Sequence, residues 1–485
     1  MERPDAAVPG HEMPSGPHDA PPQAFIACLS ALNAICGDRA FTPVFSLSDK
    51  DRPAAVIPTL SMPLAKANFG ALMKLLAQPS AIGPNDVSTI LAAQRKAVAG
   101  FLPPGTNRLN FIEAAASRRL PFRIFGAPFL IFGYGSGSFI LNSSITEGDT
   151  STGLSLARSK VATNQFLRQS GLPVPQQRPV KSEEAVVAFV REFGFPVVLK
   201  PDNQSQGRGV IAGIVDEAEA LQHFRALANL YPTILIEEHV PGNHYRIDFM
   251  GDIRIKAVRR RAATVVGDGQ RSIEALIAEL NQEPVRLDPS SSTKQVVFDS
   301  DLTRTLAKQG LSVSDIPEAG RRVTLKSISN LGMGGVQENV EDEVHPENYD
   351  LCRAIARTMR LQVLGVDLLS PDISRPWYEN GARICEVNAQ PQLGDRRSGA
   401  YGRLLDHVAK PPARVELALT RGGPVRHPAL FDTAAQTVKV EVPLELVLCS
   451  GSPTQYFDTL MLPGDLSETE KRQLDAVLVS VPPQG

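Results

Sequence analysis

The spacing of apolar and polar positions divides the chain into helices and strands. FIACLSALNAIC, ANFGALMKLLA and RLNFIEAAASRRL carry apolar residues at helical spacing, while PFRIFG and FLIFGYGSGSFIL read as strands. A helical stretch over Ser155–Gln169 is stopped by Gly171, Pro173 and Pro175. Ser182 caps EEAVVAFVREFG, the strands PVVLKP and VIAGIV flank DNQSQGRG, and Asp216 with Glu219 has the capping-box spacing that opens EAEALQHFRALANL. TILIEEHV predicts a strand, and YRIDFMGDIRIKAVRRR a hairpin about Gly251-Asp252. SIEALIAELNQ predicts a helix, residues 284–322 a small mixed excursion, SNLGMGGVQENV a glycine-rich loop, and NYDLCRAIARTMRLQ another helix. Two apolar strands then span Val363–Asn388, joined by a connector containing Pro371, Pro376 and Asn380-Gly381. AQPQLGDRRSGAYG is an irregular basic loop, TVKVEVPLELVLCSG is strand-like, and Ser467 caps a terminal helix. No internal repeat or heptad array is present.

Composition narrows the class. With 485 residues, 42% hydrophobic and 21% charged, the chain is an ordinary globular protein of two to four domains. A net charge of −2 offers no global basic field, which argues against a nucleic-acid partner. The five cysteines are odd in number and scattered, fitting reduced thiols in a cytoplasmic protein rather than disulfides or a zinc site. No run approaches the roughly 18 apolar residues of a membrane span. Residues 1–23 are proline-rich without an apolar h-region and read as a disordered lead, not a signal peptide.

Chemistry concentrates where acids interrupt apolar strands. Asp367 breaks VLGVDLL, and Glu386 and Asn388 break ICEVNA. Glu386 and Asn388, two apart, share one strand face, and antiparallel pairing would let Asp367 face the same space. Two carboxylates and an amide in an apolar setting are costly unless a cation neutralises them. An all-oxygen set suits Mg²⁺, which takes one or two carboxylates and leaves its other positions to water and phosphate. Lys200 ends the buried-looking strand VVLKP, where a lone ammonium needs an anion. Gly207, Arg208 and Gly209 follow in a flexible turn able to fold over a polyphosphate, although no Walker A loop or dinucleotide fingerprint occurs. Along the hairpin's second strand Arg254, Lys256 and Arg260 share one face and Ile253, Ile255 and Ala257 the other. That stripe suits a strand bordering an anionic ligand and equally a guarded edge strand. GYGSGS is expected to be a hairpin turn rather than a phosphate loop, because no helical pattern opens straight after it. His239, His345 and His407 have no ligand spacing among themselves and read as structural or surface residues.

In this order the motifs resemble the ATP-grasp superfamily, and within it the ATP-grasp portion of the cyanophycin synthetases. The resemblance runs from about Gly133 to His407. It is carried by SKxxTNxxLxxxGLPVP (Ser159–Pro175), FPVVLKP, GRGV, EEHVPGNHYR, VVGDG (Val265–Gly269), the LNQEP–R run, NLGMGG…VHPE (Asn330–Glu347), GVDLLSPDIS and EVNAQPQL. More distantly, FIEAAASRRLPFRIFG leading into FGYGS is similar to that family's N-terminal domain. The resemblance implies an α/β protein with an ATP-grasp fold, two α+β lobes clasping ATP. An N-terminal α/β domain (24–150), an ATP-grasp domain (151–410, lid about 178–262) and a short C-terminal extension (411–485) are expected. It further implies ATP and Mg²⁺ as cofactors, with Mn²⁺ able to replace Mg²⁺. Lys160 and Lys200 would meet the phosphates, with Gly207, Arg208 and Gly209 in the loop closing over them. Glu237, Glu238 and Val240 would lie on the strand that meets adenine, and His244 stands where relatives place an acid on the ribose. Arg260 would lie by the transferring phosphate and acyl group, Asp367, Glu386 and Asn388 would hold Mg²⁺, and Asn330, Arg396 and Arg397 would meet substrate.

The implied reaction joins a carboxylate (of an amino acid, peptide or other small molecule) to an amine through an acylphosphate, releasing ADP and phosphate. No Mur-ligase-like ATPase with a P-loop follows, so a single amide bond is expected rather than a polymer. Relatives often assemble as homo-oligomers. Two alternatives keep the nucleotide site: a kinase phosphorylating a small molecule, and a regulatory module without turnover.

Overall fold

The computed structural model describes residues 20–38, 45–49, 52–56, 59–77, 86–101, 106–125, 128–202, 209–287, 291, 293–394, 399–426, 430–450, 457–471 and 474. It opens with helix α1 (Ala20–Ile35), a hairpin of β1 (Phe45–Asp49) and β2 (Arg52–Val56), and helices α2 (Met62–Ala77) and α3 (Asp86–Val98). Leu29, Leu32, Cys36, Leu64, Leu72 and Val98 form the core of this helical group. The pattern of apolar positions left α3 unassigned because it buries only Val98. Helix α4 (Thr106–Ser117) leads into an antiparallel meander of β3 (Phe122–Phe125), β4 (Phe129–Phe132) and β5 (Phe139–Asn142). GYGSGS is the β4–β5 turn, as its pattern predicted.

The helical stretch expected over Ser155–Gln169 is two helices, α5 (Ser151–Ala157) and α6 (Lys160–Gln169). Thr150 and Ser159 each cap one of them by accepting a backbone N–H, which breaks the path at Arg158. Strand β6 (Gln177–Val180), α7 (Glu183–Phe193), β7 (Val197–Pro201), β8 (Ile211–Ile214), α8 (Glu217–Ala228) and β9 (Ile234–Glu238) build the first lobe, an antiparallel sheet in the order β6-β9-β7-β8. Strand β7 is buried along its whole length, and α7 and α8 seal one face through Val186, Phe189, Val190, Phe224 and Leu227. Burying each such side chain contributes about 1.5–3 kcal/mol.

Strands β10 (Asn243–Met250) and β11 (Ile253–Arg261) follow as a hairpin whose turn residue Gly251 has φ +52°. Next come β12 (Thr264–Val266), α9 (Ile273–Leu280), α10 (Pro284–Leu287), α11 (Ser300–Ala307) and β13 (Arg322–Thr324); the excursion expected over 284–322 shares one core with β12 and α9, through Val265, Ile277, Leu302, Leu306 and Val323. Strand β14 (Val336–Asn339), α12 (Pro346–Met359), β15 (Val363–Ser370), α13 (Trp377–Asn380) and β16 (Arg383–Asn388) complete the second lobe. Its antiparallel sheet runs β14-β11-β10-β15-β16 and packs against α12. The lid sheet therefore ends at Glu238; the 243–261 hairpin belongs to the second lobe, not to a lid reaching 262. The glycine-rich loop is likewise shorter than its pattern suggested, because VQEN pairs with β11 as β14.

Helix α14 (Ala400–Val408) returns to α4, where Phe111 meets Tyr401 edge-on and Arg118 grips Asp406 through bonds of 2.6 and 2.9 Å. The C-terminal segment holds β17 (Arg414–Thr420), β18 (Thr437–Pro443), α15 (Leu444–Ser450) and β19 (Thr459–Met461), a parallel sheet in the order β18-β17-β19. TVKVEVPLELVLCSG is thus a strand only to Pro443; beyond it Leu444 and Val447, three apart, are buried together as on a helix. Ser467 is the expected cap, and Glu470 returns the bond, with N···O distances of 2.8 and 3.2 Å.

Candidate active site

Between the two lobes lies a cleft of about 1220 Å³. Sites for drug-sized ligands span roughly 300–1,000 Å³, so there is room for a nucleotide and a second reactant. Lys160, Lys200, Glu237, Glu238, Val240 and His244 all line it. So do Arg260, Asn330, Asp367, Glu386 and Asn388. Gly209 is described but does not line the cleft. Gly207, Arg208, Arg396 and Arg397 lie outside the described residues. His239, read as structural, also lines the cleft, whereas His345 caps α12 by accepting the Glu347 N–H at 3.3 Å.

Each cluster has a local cause. Strands β15 and β16 pair antiparallel, with Asp367 opposite Glu386, and the Asn388 amide donates to Asp367 Oδ2 at 3.2 Å. Asp367 is buried between two guanidinium groups, Arg246 Nη1 at 3.1 Å and Arg260 Nη1 at 3.2 Å. Burial alone would raise its pKa, but Arg246, Arg260 and His244 outweigh that and hold it at about 2. The His244 ring accepts the opposite push: burial lowers its pKa more than Asp367 raises it, and Arg260 and Arg246 add to the fall. Its Nδ1 sits 3.0 Å from Ser329 Oγ. Glu386 makes no hydrogen bond or ion pair among the described residues.

Lys200 does not wait for a phosphate to balance it. Its Nζ lies 2.6 Å from Glu237 Oε2, and Gln177 donates to the same oxygen at 2.6 Å. Burial works to lower the Lys200 pKa, yet Glu237, with Glu386 adding to it, outweighs burial and raises it, so the ammonium stays charged. Glu237, expected on the adenine side, is thus committed to Lys200. Burial pushes the neighbouring Cys385 thiol up to about 12, so it remains protonated and unreactive.

The basic stripe on β11 is broken. A β-bulge at Asp248/Phe249 inserts an extra residue, so alternation reverses there. Arg254 consequently leaves the cleft and stacks 3.9 Å above the Tyr349 ring, while Lys256 and Arg260 face the cleft. Ile255 and Ala257, expected on one face, enter different cores.

Sequence reasoning missed the buried pair beneath the cleft. Arg246 Nε binds Asp248 Oδ1 at 2.6 Å, and Lys256 Nζ lies 3.2 Å from Asp248 Oδ2. A signal was present: Arg246 and Asp248 are two apart on either side of Ile247 and run into the apolar Phe249-Met250, a spacing like that of Glu386 and Asn388.

The donor set fits a hard cation as far as its chemistry goes. Asp367, Glu386 and the Asn388 carboxamide offer oxygen ligands, and Glu386 makes no direct hydrogen bond or ion pair among the described residues. No group of three or more His, Cys, Asp or Glu that could hold a metal occurs among the described residues, so a cation here would need the amide and phosphate oxygens as well.

No protein-family model matches the chain. Cyanophycin synthetase of Trichormus variabilis is 31% identical over 296 residues, 60% of this chain and 32% of the relative. The glutathione biosynthesis bifunctional protein GshAB of Mannheimia succiniciproducens is 29% identical over 262 residues, 53% of this chain and 35% of the relative. Among solved structures, a bifunctional glutathione synthetase from Pasteurella multocida superposes with a TM-score of 0.48 at 23% identity, covering 71% of this chain and 52% of that one. The chain spans about a third of the length of the curated relatives it matches. No helix among the described residues is long and apolar enough to cross a membrane. Two antiparallel sheets flank the cleft, as the ATP-grasp resemblance implied, and the sequence is similar to part of the cyanophycin synthetases and of the bifunctional glutathione biosynthesis proteins.

Proposed function

We propose that the chain is an ATP-dependent carboxylate–amine ligase. The observation that carries this reading is the convergence of Lys160, Lys200 and Arg260 with Asp367, Glu386 and Asn388 in one cleft between two antiparallel sheets. A substrate carboxylate oxygen attacks the γ-phosphorus of ATP, the bond to the β–γ bridging oxygen breaks, and ADP leaves. An amine then attacks the acyl carbon of the acylphosphate, phosphate departs, and the nitrogen loses a proton as the C–N bond forms.

Asp367, Glu386 and Asn388 would hold Mg²⁺, which supplies charge neutralisation of the phosphates. The chain's own part is placement and electrostatics: Lys160 and Lys200 on the phosphates, and Arg260 where negative charge develops during transfer. Glu238 and Val240 would border the base, and His244 would lie within the same cleft. Enclosure between the lobes would keep water from the acylphosphate.

The test is ADP release with Mg²⁺-ATP across a panel of amino acids and peptides, with and without hydroxylamine. A hydroxamate formed with one acid supports the ligase and names its acyl donor. ADP release with a phosphorylated product, no hydroxamate and no need for an amine would replace it with a kinase. An absence of turnover with retained ATP binding would favour a regulatory module.

A further inference from the structure

The N-terminal unit touches the cleft through a loop that follows the acidic strand β16. Residues 390–394 have no regular structure, so their backbone groups need partners from elsewhere. Those partners come largely from the N-terminal unit and from α14. Asn107, in the first turn of α4 and 7% exposed, uses all four of its hydrogen-bonding valences. Its amide donates to Ser143 Oγ at 2.9 Å and to the Pro391 carbonyl at 3.0 Å. Its oxygen accepts the Tyr401 hydroxyl at 2.9 Å and the Leu393 N–H at 3.4 Å. Ser144 Oγ donates to the same Pro391 carbonyl at 2.8 Å, and the Tyr401 hydroxyl also lies 2.9 Å from the Gly394 carbonyl. Gln390 returns a bond to the Asn142 carbonyl at 3.0 Å.

The loop begins two residues after Asn388, and its Gln390 and Gln392 line the cleft. The Gln392 carbonyl accepts from Lys256 Nζ at 3.2 Å, and Lys256 in turn faces Asp248 beside Arg246 and Asp367. Asn107 is absent from the cleft lining, yet it holds Pro391 and Leu393 on either side of Gln392, whose carbonyl meets Lys256 at the cleft.

We infer that Asn107 is a positioning residue, and that the N-terminal unit serves the site by holding loop 390–394, with Gln390 and Gln392, against the part of the cleft that takes the non-nucleotide substrate. The assignment of that wall to substrate rests on the ligase reading; the clamp itself does not.

The test uses the full chain with Asn107→Asp, which keeps shape but exchanges two donors for acceptors, and Tyr401→Phe, which removes one hydroxyl and perturbs folding least. Amide hydrogen exchange of residues 388–394 should quicken about tenfold or more in both, the scale of one or two lost buried hydrogen bonds, with β10 and β15 unchanged. Calorimetric affinity for a non-hydrolysable ATP analogue with Mg²⁺ should stay within about twofold, while KM for the acid identified by hydroxamate formation rises about tenfold at little cost in kcat. Unchanged exchange in the loop, or nucleotide affinity falling in step with that of the acid, would overturn the inference. If the wild-type protein makes no hydroxamate, the ligase reading fails, and the exchange and nucleotide arms still decide whether Asn107 holds the loop.

Discussion

Asp367 carries more of the site's electrostatics than any other single residue. It faces Arg246, Arg260, His244 and the Asn388 amide at once, and its pKa of about 2 reflects the two arginines overcoming burial. An unfolded chain takes up this proton near about 3.9. Between that value and about 2 the unfolded state therefore binds more protons, so stability is fully present above the window and falls as pH drops through it. Urea-unfolding midpoints measured across the window should show this slope, and Asp367→Asn should flatten it. Midpoints of wild type and variant that fall in parallel would mean other carboxylates dominate. Glu386 differs, since it makes no bond or ion pair among the described residues. Glu386→Ala should leave stability nearly unchanged while cutting ADP release at least about 100-fold, as loss of a charge clamp does. Near-normal turnover would remove Glu386 from the site.

On the scale of elements, the buried charges depend on strand geometry that has no local label. Arg246 stands opposite Asp367 on β10 and β15, and a Cβ at Gly365 would collide with its guanidinium group. Glycine at 365 is thus what lets an arginine lie across the strand and reach both Asp248 and Asp367. Gly365→Ala should displace Arg246 and expose two buried carboxylates to each other. The expected cost is about 3–5 kcal/mol, the range for breaking a buried ion pair, read as a lowered denaturant midpoint. A loss under about 1 kcal/mol would mean Arg246 has a second acceptable position. The acids of β15 and β16 were legible because each interrupts an apolar run. The bulge at Asp248/Phe249 was not, because a bulge depends on the partner strand's register as much as on its own residues.

Across the whole molecule, the GYGSGS turn proves to be a docking point for the C-terminal segment. Gly135 N–H donates to the Leu430 carbonyl at 3.0 Å and Ser136 N–H to the Ala435 carbonyl at 2.7 Å. A Cβ on Gly137 would lie 2.8 Å from the Pro411 carbonyl oxygen and 2.9 Å from Pro412 Cα, so backbone approaches backbone there. Tyr134 enters the same core as Val415, Val438 and Leu430. Gly137→Val should separate this contact and speed limited proteolysis after residue 409, with little change in nucleotide binding at the distant cleft. Equal proteolysis of the variant and wild type would show the junction to be held elsewhere.

The sequence by itself determined most helices and strands of the two lobes, though it read β14 as loop and α5 with α6 as one stretch, together with the caps at Ser182, Asp216 and Ser467 and most of the motif residues that line the cleft. These depend on alternation, helical spacing and side-chain chemistry, which are local properties of the chain. The tertiary structure decided what neutralises Lys200 and Asp367, that Arg254 turns away from the cleft, and that GYGSGS meets the C-terminal segment. It also brought Asn107 to a loop nearly three hundred positions later. Charge partners, bulge registers and backbone contacts arise from residues far apart in the chain, so no local pattern encodes them until the sheets have closed.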